Sequence, residues 1–121
     1  MTPRSGQAGR GGGAEILDRA RDLIEQGWSQ GSDARDDAGS PVEPWSSAAS
    51  SWSLLGALAV AADIVADPRA QVGSLRAALG GLAELIDDPS LESWNDAAAR
   101  TPQEVIDALD GARRACLGAP G

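Results

Sequence analysis

The sequence contains no lysine, histidine, tyrosine or phenylalanine, and it has a single cysteine among its 121 residues. Without histidine, the usual general base near neutral pH is missing. Without lysine, neither a Schiff base nor a Walker-type phosphate site can form. The lone Cys116 excludes an intrachain disulfide and a cysteine-cluster metal site, and it fits a reducing cytoplasm best. We therefore expect a cytoplasmic protein that holds no metal and no cofactor.

Apolar residues are nearly absent from the first thirteen positions, MTPRSGQAGRGGG, five of which are glycine. Such a stretch cannot bury enough apolar area to offset its ordering entropy. We predict a disordered tail over residues 1–13 and a single helical domain over residues 14–117. The tail has no apolar core of the signal-peptide kind, so no export is expected. The most apolar stretch, Trp52–Ala66, is too short and too weakly apolar to span a bilayer.

Positive charge is also scarce, because ten arginines face eighteen acidic residues and the formal net charge is −8. A surface of this kind repels phosphate backbones, so we do not expect nucleic-acid binding. Acidic charge keeps a small protein soluble. It also suits an inhibitor, of the immunity-protein or antitoxin type, that docks on a basic partner surface.

Apolar residues recur at helical spacing in four stretches of the chain. The first predicted helix runs from Ala14 to Gln26, and Gly27 ends it in the left-handed conformation. The second, Trp52–Ala66, is apolar nearly all round, and such a helix must be buried nearly all round. We therefore predict that it is the central helix, against which the others pack. Asp67-Pro68 ends it, since the residue before proline is pushed out of the helical region.

Two further helices follow. The third ends near Asp87, and its predicted inner stripe consists of Val72, Leu75, Leu79, Leu82 and Ile86. Three glycines within it, at positions 73, 80 and 81, either allow close approach of the central helix or bend the helix. The fourth helix opens on a capping box, Thr101-Pro102-Gln103-Glu104, and ends near Cys116. Its predicted inner stripe consists of Val105, Ile106, Leu109, Ala112 and Cys116.

The segment between the first two helices, from Gln30 to Pro44, is polar. Its Asp36–Gly39 stretch predicts a turn, within either a loop or a small two-stranded β-ribbon. The aspartates of this segment do not have calcium-loop spacing, because Pro44 stands where the bidentate glutamate is required. The predicted fold is therefore an all-α, compact four-helix bundle with a polar loop or small β-ribbon between helices 1 and 2.

Three short motifs occur together in the chain: Gly27-Trp28-x-Gln30-Gly31, Leu55-Gly56-Ala57-Leu58, and Trp94-Asn95-Asp96 followed by Arg100-Thr101. Through them the chain resembles, over about Leu17 to Ala112, a family of small proteins of unknown function that is frequent in actinobacteria. Members of that family often carry cysteine where this chain has Ser53. The resemblance implies no activity and no site residues of established role.

The Trp94-Asn95-Asp96 turn is the first candidate binding site. Trp94 offers a stacking platform, and the two polar side chains offer anchors for a ligand. Alternatively, Trp94 fills the core while Asn95 or Asp96 satisfies free backbone N–H groups. Arg100 either pairs with Asp96 as a surface ion pair or holds an anionic ligand. Trp28, Trp45 and Trp94 flank polar loops, where they either form a partner-binding pocket or anchor the loops.

Other chemical groups support catalysis less well. Ser53 near a helix start has no histidine to activate it, so it is not a credible nucleophile. Cys116 is most simply a small, partly buried apolar residue. The acidic pairs Asp36-Asp37 and Asp87-Asp88 lie in or beside turns, where aspartate is common for backbone reasons.

We therefore expect a non-enzymatic binding or regulatory module for a protein partner or a small molecule. Its predicted contact residues are Trp28, Gln30, Trp94, Asn95, Asp96 and Arg100. The alternative is a carboxylate-based enzyme, or an accessory subunit of one.

Overall fold

A computed structural model describes residues 4–65 and 68–118 of the chain. Within these residues it contains five helices and one two-stranded antiparallel sheet. The elements in order are α1 (Arg4–Gln26), β1 (Ala34–Arg35), β2 (Ser51–Trp52), α2 (Leu54–Val65), α3 (Pro68–Leu85), α4 (Leu91–Asn95) and α5 (Pro102–Gly118). The mainly helical class is confirmed, whereas the predicted four-helix bundle is not, because α4 is a separate fifth helix. None of the described helices is long and apolar enough to cross a membrane.

Helix α1, and not the stretch 52–66, is the element on which the others pack. It contacts α2, α3 and α5 along its length. Its apolar stripe faces the core, with Ile16, Leu17, Ala20 and Ile24 each at most 2% exposed and Leu23 partly buried. Two ion pairs join it to α5: Arg21 Nε lies 2.9 Å from Asp110 Oδ1, and Arg113 Nε lies 2.8 Å from Asp18 Oδ1. The prediction of a central Trp52–Ala66 helix is therefore wrong.

Helix α1 also begins earlier than the predicted Ala14. It begins at Arg4, so ten positions of the predicted tail continue the helix, while residues 1–3 lie outside the described residues. Gly13 is buried against α3: a Cβ atom there would lie 3.0 Å from the Ala77 Cβ and 3.2 Å from the Ser74 carbonyl oxygen. Glycine therefore lets the two helices approach closely. The division of the chain into a tail and a domain stays a prediction.

Trp52 lies in strand β2 and not in a helix, which corrects its predicted place. It pairs with Ala34 of β1, so a small two-stranded sheet between the first two long helices is confirmed, but its second strand lies beyond the predicted Gln30–Pro44 segment. The Trp52 side chain is buried, and its indole Nε1 donates to the Pro44 carbonyl oxygen over 2.8 Å. Helix α2 runs from Leu54 to Val65, and the predicted stop at Asp67 lies outside the described residues.

Helix α2 is buried on one side only. Leu54, Leu58 and Ala61 are at most 2% exposed, whereas Ile64 is 59% exposed and Leu55 is 36% exposed. The prediction of burial nearly all round is therefore wrong. The apolar pattern correctly predicts that this stretch is helical. It does not predict how much of the helix is buried, because α1 and not α2 lies at the centre of the packing.

Helix α3 is continuous from Pro68 to Leu85, without a break at its paired glycines. Its predicted stripe is only half correct: Leu82 and Ile86, just beyond its end, are buried, but Val72 is 65% exposed. In the first half of the helix the smaller Ser74 and Ala78 face the core instead. Because Gly13 of α1 packs beside them, the small-residue face permits a closer helix contact than the large aliphatic face would.

Helix α5 agrees most closely with prediction. The Thr101 N–H donates to Glu104 Oε1 over 2.9 Å, and the Glu104 N–H donates to Thr101 Oγ1 over 3.2 Å, which is the reciprocal capping box. All five residues of the predicted stripe are buried: Val105, Ile106, Leu109, Ala112 and Cys116.

Gly27 ends α1 as predicted, but not in the left-handed conformation. The glycines with positive φ in the described part of the chain are Gly31 and Gly39. Gly27 is required by proximity instead, because a Cβ atom there would collide with the Ser50 carbonyl oxygen. Gly39 completes the predicted turn, in which its N–H donates to the Asp36 carbonyl oxygen over 2.9 Å.

Candidate functional site

The Trp94-Asn95-Asp96 motif lies at the end of the short helix α4. Ser90 caps the start of this helix, since its hydroxyl accepts the Ser93 N–H over 3.2 Å. The helix ends at Asn95, whose side chain points into the protein and is 1% exposed. Asn95 is thus placed between the start of α2 and the segment that follows α1.

The Asn95 amide joins three separate segments through four hydrogen bonds. Its Oδ1 accepts the Trp28 indole N–H over 2.8 Å and the Leu54 backbone N–H over 3.0 Å. Its Nδ2 donates to the Ser29 carbonyl oxygen over 3.1 Å and to Asp96 Oδ1 over 2.9 Å. Both lone-pair directions of the oxygen and both N–H groups are therefore in use.

A second layer of hydrogen bonds surrounds this amide. Gln30 Nε2 donates to the carbonyl oxygens of Asn95 and Ala97, each over 2.9 Å. The Gly31 N–H donates to Asp96 Oδ1 over 3.0 Å. Gly31 has φ +79°, a conformation in which glycine is strongly favoured, so the glycine turn brings this N–H to the carboxylate. We call Trp28, Gln30, Asn95 and Asp96 the Asn95 network.

Trp94 and Arg100 form a stacked pair beside the Asn95 network. The Arg100 guanidinium carbon lies 3.9 Å from the centroid of the Trp94 ring. Its Nε donates to the Trp94 carbonyl oxygen over 2.9 Å, and one terminal nitrogen lies 3.5 Å from Glu104 Oε2. Arg100 therefore pairs with Glu104 and with the indole face, and the predicted pairing with Asp96 is not what the structure shows.

The structure thus brings the six predicted contact residues into one region, where most of their polar atoms bind one another. The buried Asn95 amide can reach a ligand only if its present bonds break. The arrangement joins α4 to the start of α2 and to the segment after α1. This agrees with the structural alternative for this turn, in which Asn95 or Asp96 satisfies free backbone N–H groups. A ligand or partner contact by the six residues stays a prediction.

A groove lies elsewhere, between α2 and α3, and it encloses about 490 Å³. Its described lining residues are Trp45, Ala59, Ala62, Asp63, Val72 and Leu75. We call it the α2–α3 groove. Trp45 is 62% exposed and Val72 is 65% exposed, values far above those of core residues of the same type. The groove therefore presents large apolar side chains to solvent.

The apolar surface continues beyond the α2–α3 groove. A neighbouring groove of about 500 Å³ is lined by Val72, Leu75, Arg76, Leu79, Gly80 and Ala83. Because Val72 and Leu75 belong to both grooves, they form a ridge between them. Adjoining exposed apolar side chains of this kind occur at sites of protein–protein interaction.

Sequence reasoning missed this surface for an identifiable reason. Val72, Leu75 and Leu79 have the spacing of a buried stripe, so they were assigned to the core. Val72 is exposed, and Leu75 and Leu79 are only partly buried, because the face with Ser74 and Ala78 contacts α1. The available signal was the pair Ser74 and Ala78, which lie one helical turn apart and suit close packing.

The acidic residues do not form a metal site in the described part of the chain, where no group of three potential ligands converges. Asp36 Oδ1 accepts the Ala38 and Ser40 N–H groups over 3.0 and 2.9 Å, and Asp88 Oδ1 accepts the Ser90 N–H over 3.0 Å. One member of each acidic pair therefore stabilises a turn. A catalytic role for these pairs stays a prediction.

Ser53 and Cys116 both have structural contacts. Ser53 Oγ accepts the Gly56 N–H over 3.0 Å at the start of α2, which is a helix cap. The buried Cys116 Sγ lies 3.4 Å from the Ala77 carbonyl oxygen, as a weak donor. Burial raises the pKa of the Cys116 thiol, and the negative charge of Glu84 raises it further. A raised pKa leaves less of the nucleophilic thiolate.

One protein-family model matches the chain over residues 12–115, and it is described as a family of unknown function, DUF6197. The matched residues include α1 from Gly12 onward, both strands, α2, α3, α4 and most of α5. No curated protein and no solved structure matches the chain.

Proposed function

The chain belongs to DUF6197, a family of unknown function, and we propose that it is a non-enzymatic module that binds a partner protein on the α2–α3 groove. The observation that supports this proposal is the exposure of Val72 and Trp45 in this groove, beside the partly buried Leu75. Tryptophan is a typical anchor of protein–protein contacts, and the centre of an interface is depleted of charged residues.

The packing of α3 strengthens the argument. This helix offers two faces to α1, and the small-residue face with Ser74 and Ala78 is the one buried. Burial of an aliphatic side chain contributes about 1.5–3 kcal/mol, so leaving Val72 outside forgoes that stabilisation within the monomer. A partner that covers Val72 recovers the same hydrophobic free energy in the complex.

In this proposal the Asn95 network positions the groove. Asn95 holds the first residue of α2 through the Leu54 N–H. Trp52, two residues before Leu54, holds the Pro44 carbonyl oxygen, and Trp45 follows Pro44 in the chain. The network therefore connects α4 to both the helix and the loop that line the groove. The six predicted residues act on the partner indirectly, through the position of Trp45 and α2.

Two other predicted functions give different experimental results. A small-ligand or partner contact at the Trp94–Arg100 pair requires the guanidinium of Arg100. A carboxylate enzyme requires the acidic pairs and does not require the groove. The cytoplasmic location inferred from the single cysteine is part of the proposal.

The test compares pull-downs from the native host's lysate at two salt concentrations, with four baits. These are the wild-type chain, Val72→Asp in the groove, Leu117→Asp on α5 and Arg100→Ala at the predicted site. Leu117 is 51% exposed and lines neither groove, so its substitution matches the change in charge and exposure. We expect one stoichiometric partner on the wild type, Leu117→Asp and Arg100→Ala baits, and its loss from Val72→Asp.

A partner lost from the Arg100→Ala bait but kept by Val72→Asp would contradict the proposal and favour the predicted contact residues. The salt series adds a further check. Because the chain is strongly acidic, a basic partner should associate faster at low salt.

A further inference from the structure

Resting on the proposed function, we propose that the α2–α3 groove receives a basic amphipathic helix of its partner protein. The apolar face of that helix covers Trp45, Val72 and Leu75, and a lysine or arginine at its edge pairs with Asp63. The proposal specifies the chemistry of the partner segment, which the proposed function leaves open.

The shape of the surface favours a helix over an extended peptide. An extended peptide gains its affinity by adding a strand to a free sheet edge. The α2–α3 groove is bordered by two helices, whose backbone groups are bonded within each helix. Such a groove accepts the apolar face of a helix, because the helix backbone needs no hydrogen-bond partner from the groove. Apolar side chains about one turn apart on the helix then contact the groove.

The extent of the surface favours a helix over a small molecule. The two grooves, of about 490 and 500 Å³, share the ridge formed by Val72 and Leu75. A small-molecule site is one concave pocket with a few convergent polar groups. Here two neighbouring apolar depressions share Val72 and Leu75, which fits a larger object with apolar side chains in both depressions.

The charge of the α2–α3 groove favours a basic residue on the part of the helix that covers Asp63, whereas Arg76 lines the neighbouring groove. Asp63 is the one charged side chain among the described residues that line the α2–α3 groove. It is exposed, and no ion pair within residues 12–64 and 72–118 engages its carboxylate. A partner that covers it without a cation leaves a desolvated charge unpaired, which opposes binding. The net charge of −8 also attracts basic segments from a distance.

The test uses the full chain and a displayed library of 20-residue helical peptides. In this library, apolar, basic, acidic and polar residues vary at the solvent and edge positions. Peptides retained by the wild-type chain are sequenced and then measured against Val72→Asp, Asp63→Arg and Asp37→Arg. Asp37 lies in the exposed turn outside the groove, so Asp37→Arg matches the charge reversal. A proline placed at the centre of each retained peptide tests whether it binds as a helix.

We expect the retained peptides to carry lysine or arginine beside an apolar stripe of helical spacing. Val72→Asp and the central proline should abolish binding. Asp63→Arg should weaken binding about tenfold because attraction becomes repulsion, whereas Asp37→Arg should change it less than about twofold.

The other outcomes separate this inference from the proposed function. Peptides that require Val72 but show no basic preference, or that bind with the central proline, overturn the inference and leave the groove as a docking surface. The absence of any Val72-dependent peptide overturns both. Sedimentation of the wild-type chain alone tests whether a second copy of the chain occupies the groove. A dimer that Val72→Asp dissociates would show that it does, and would overturn the inference.

Discussion

Asn95 shows how one side chain can hold together parts of the chain that are far apart in sequence. Its amide bonds to Trp28 and Ser29, more than sixty residues earlier, and to Leu54, forty-one residues earlier. Buried polar groups are stabilising only when all their partners are present, and removal of one partner leaves the others unsatisfied. A single substitution at Asn95 should therefore be strongly destabilising.

We predict that Asn95→Ala lowers the free energy of unfolding by about 2–4 kcal/mol, because it leaves two N–H donors and one carbonyl oxygen buried without partners. Urea unfolding followed by circular dichroism measures the change. Asp96→Asn is the matched control at the next position, since its amide oxygen still accepts the Gly31 N–H. A loss below about 1 kcal/mol for Asn95→Ala would contradict the assigned role.

Cys116 provides a pH-dependent prediction at the same scale. Its raised pKa, caused first by burial and then by Glu84, means that the folded protein favours the protonated thiol. The stabilisation this contributes is fully present below the pKa of the unfolded chain and is lost as pH rises through the folded pKa. We therefore expect unfolding free energy to fall in alkaline solution, and this alkaline loss to be absent from Cys116→Ser.

Alkylation by iodoacetamide measures the same property kinetically. At pH 8 the native chain should react more slowly than the chain unfolded in urea, since both access and thiolate fraction are lower. A reaction as fast as that of the unfolded chain would show that the thiol is not protected.

At the scale of elements, glycines determine how closely the helices approach. Gly80 and Gly81 are neighbours on α3 with opposite surroundings. A Cβ atom at Gly81 would lie 2.9 Å from the Ala112 carbonyl oxygen of α5, whereas a Cβ atom at Gly80 meets no atom within 4 Å. Close approach is therefore confirmed for Gly81, but the neighbouring helix is α5 and not the predicted central helix.

This pair makes a matched test. Gly80→Ala should raise the unfolding free energy by up to about 1 kcal/mol, because alanine favours the helix without a new contact. Gly81→Ala gains the same propensity, but it must push α3 away from α5, and overpacking costs about 1–3 kcal/mol. We expect a net loss for Gly81→Ala in urea unfolding. Equal stabilisation by both substitutions would contradict close packing at Gly81.

The elements also show which parts of the fold a sequence can predict. The capping box and apolar stripe of α5 are local signals, and both were predicted correctly. The sequence predicts a helix at Trp52 because the strand exists only through pairing with Ala34, eighteen residues away along the chain. The prediction of the inner face of α3 is half wrong because that face packs against Gly13 of α1. Helix propensity alone assigns Gly13 to a tail. For the site, the motifs grouped the six residues correctly, but they carried no information on burial.

At the scale of the whole molecule, strong negative charge and an exposed apolar surface act against each other. A net charge of −8 keeps copies of the chain apart near neutral pH. The α2–α3 groove and its neighbour favour association through burial of apolar area. We therefore expect the charge to oppose self-association through this surface.

This balance predicts self-association as pH falls toward the isoelectric point of about 4.3, where carboxylates become protonated and repulsion between copies disappears. Light scattering between pH 7 and pH 4.5 should show growing particles, with helical circular dichroism retained at the onset. Val72→Asp should move the onset to lower pH, because it interrupts the apolar ridge. Leu117→Asp adds the same charge outside both grooves and should move the onset less. Equal shifts for the two variants would mean that net charge alone governs association, and that the apolar ridge takes no part in it.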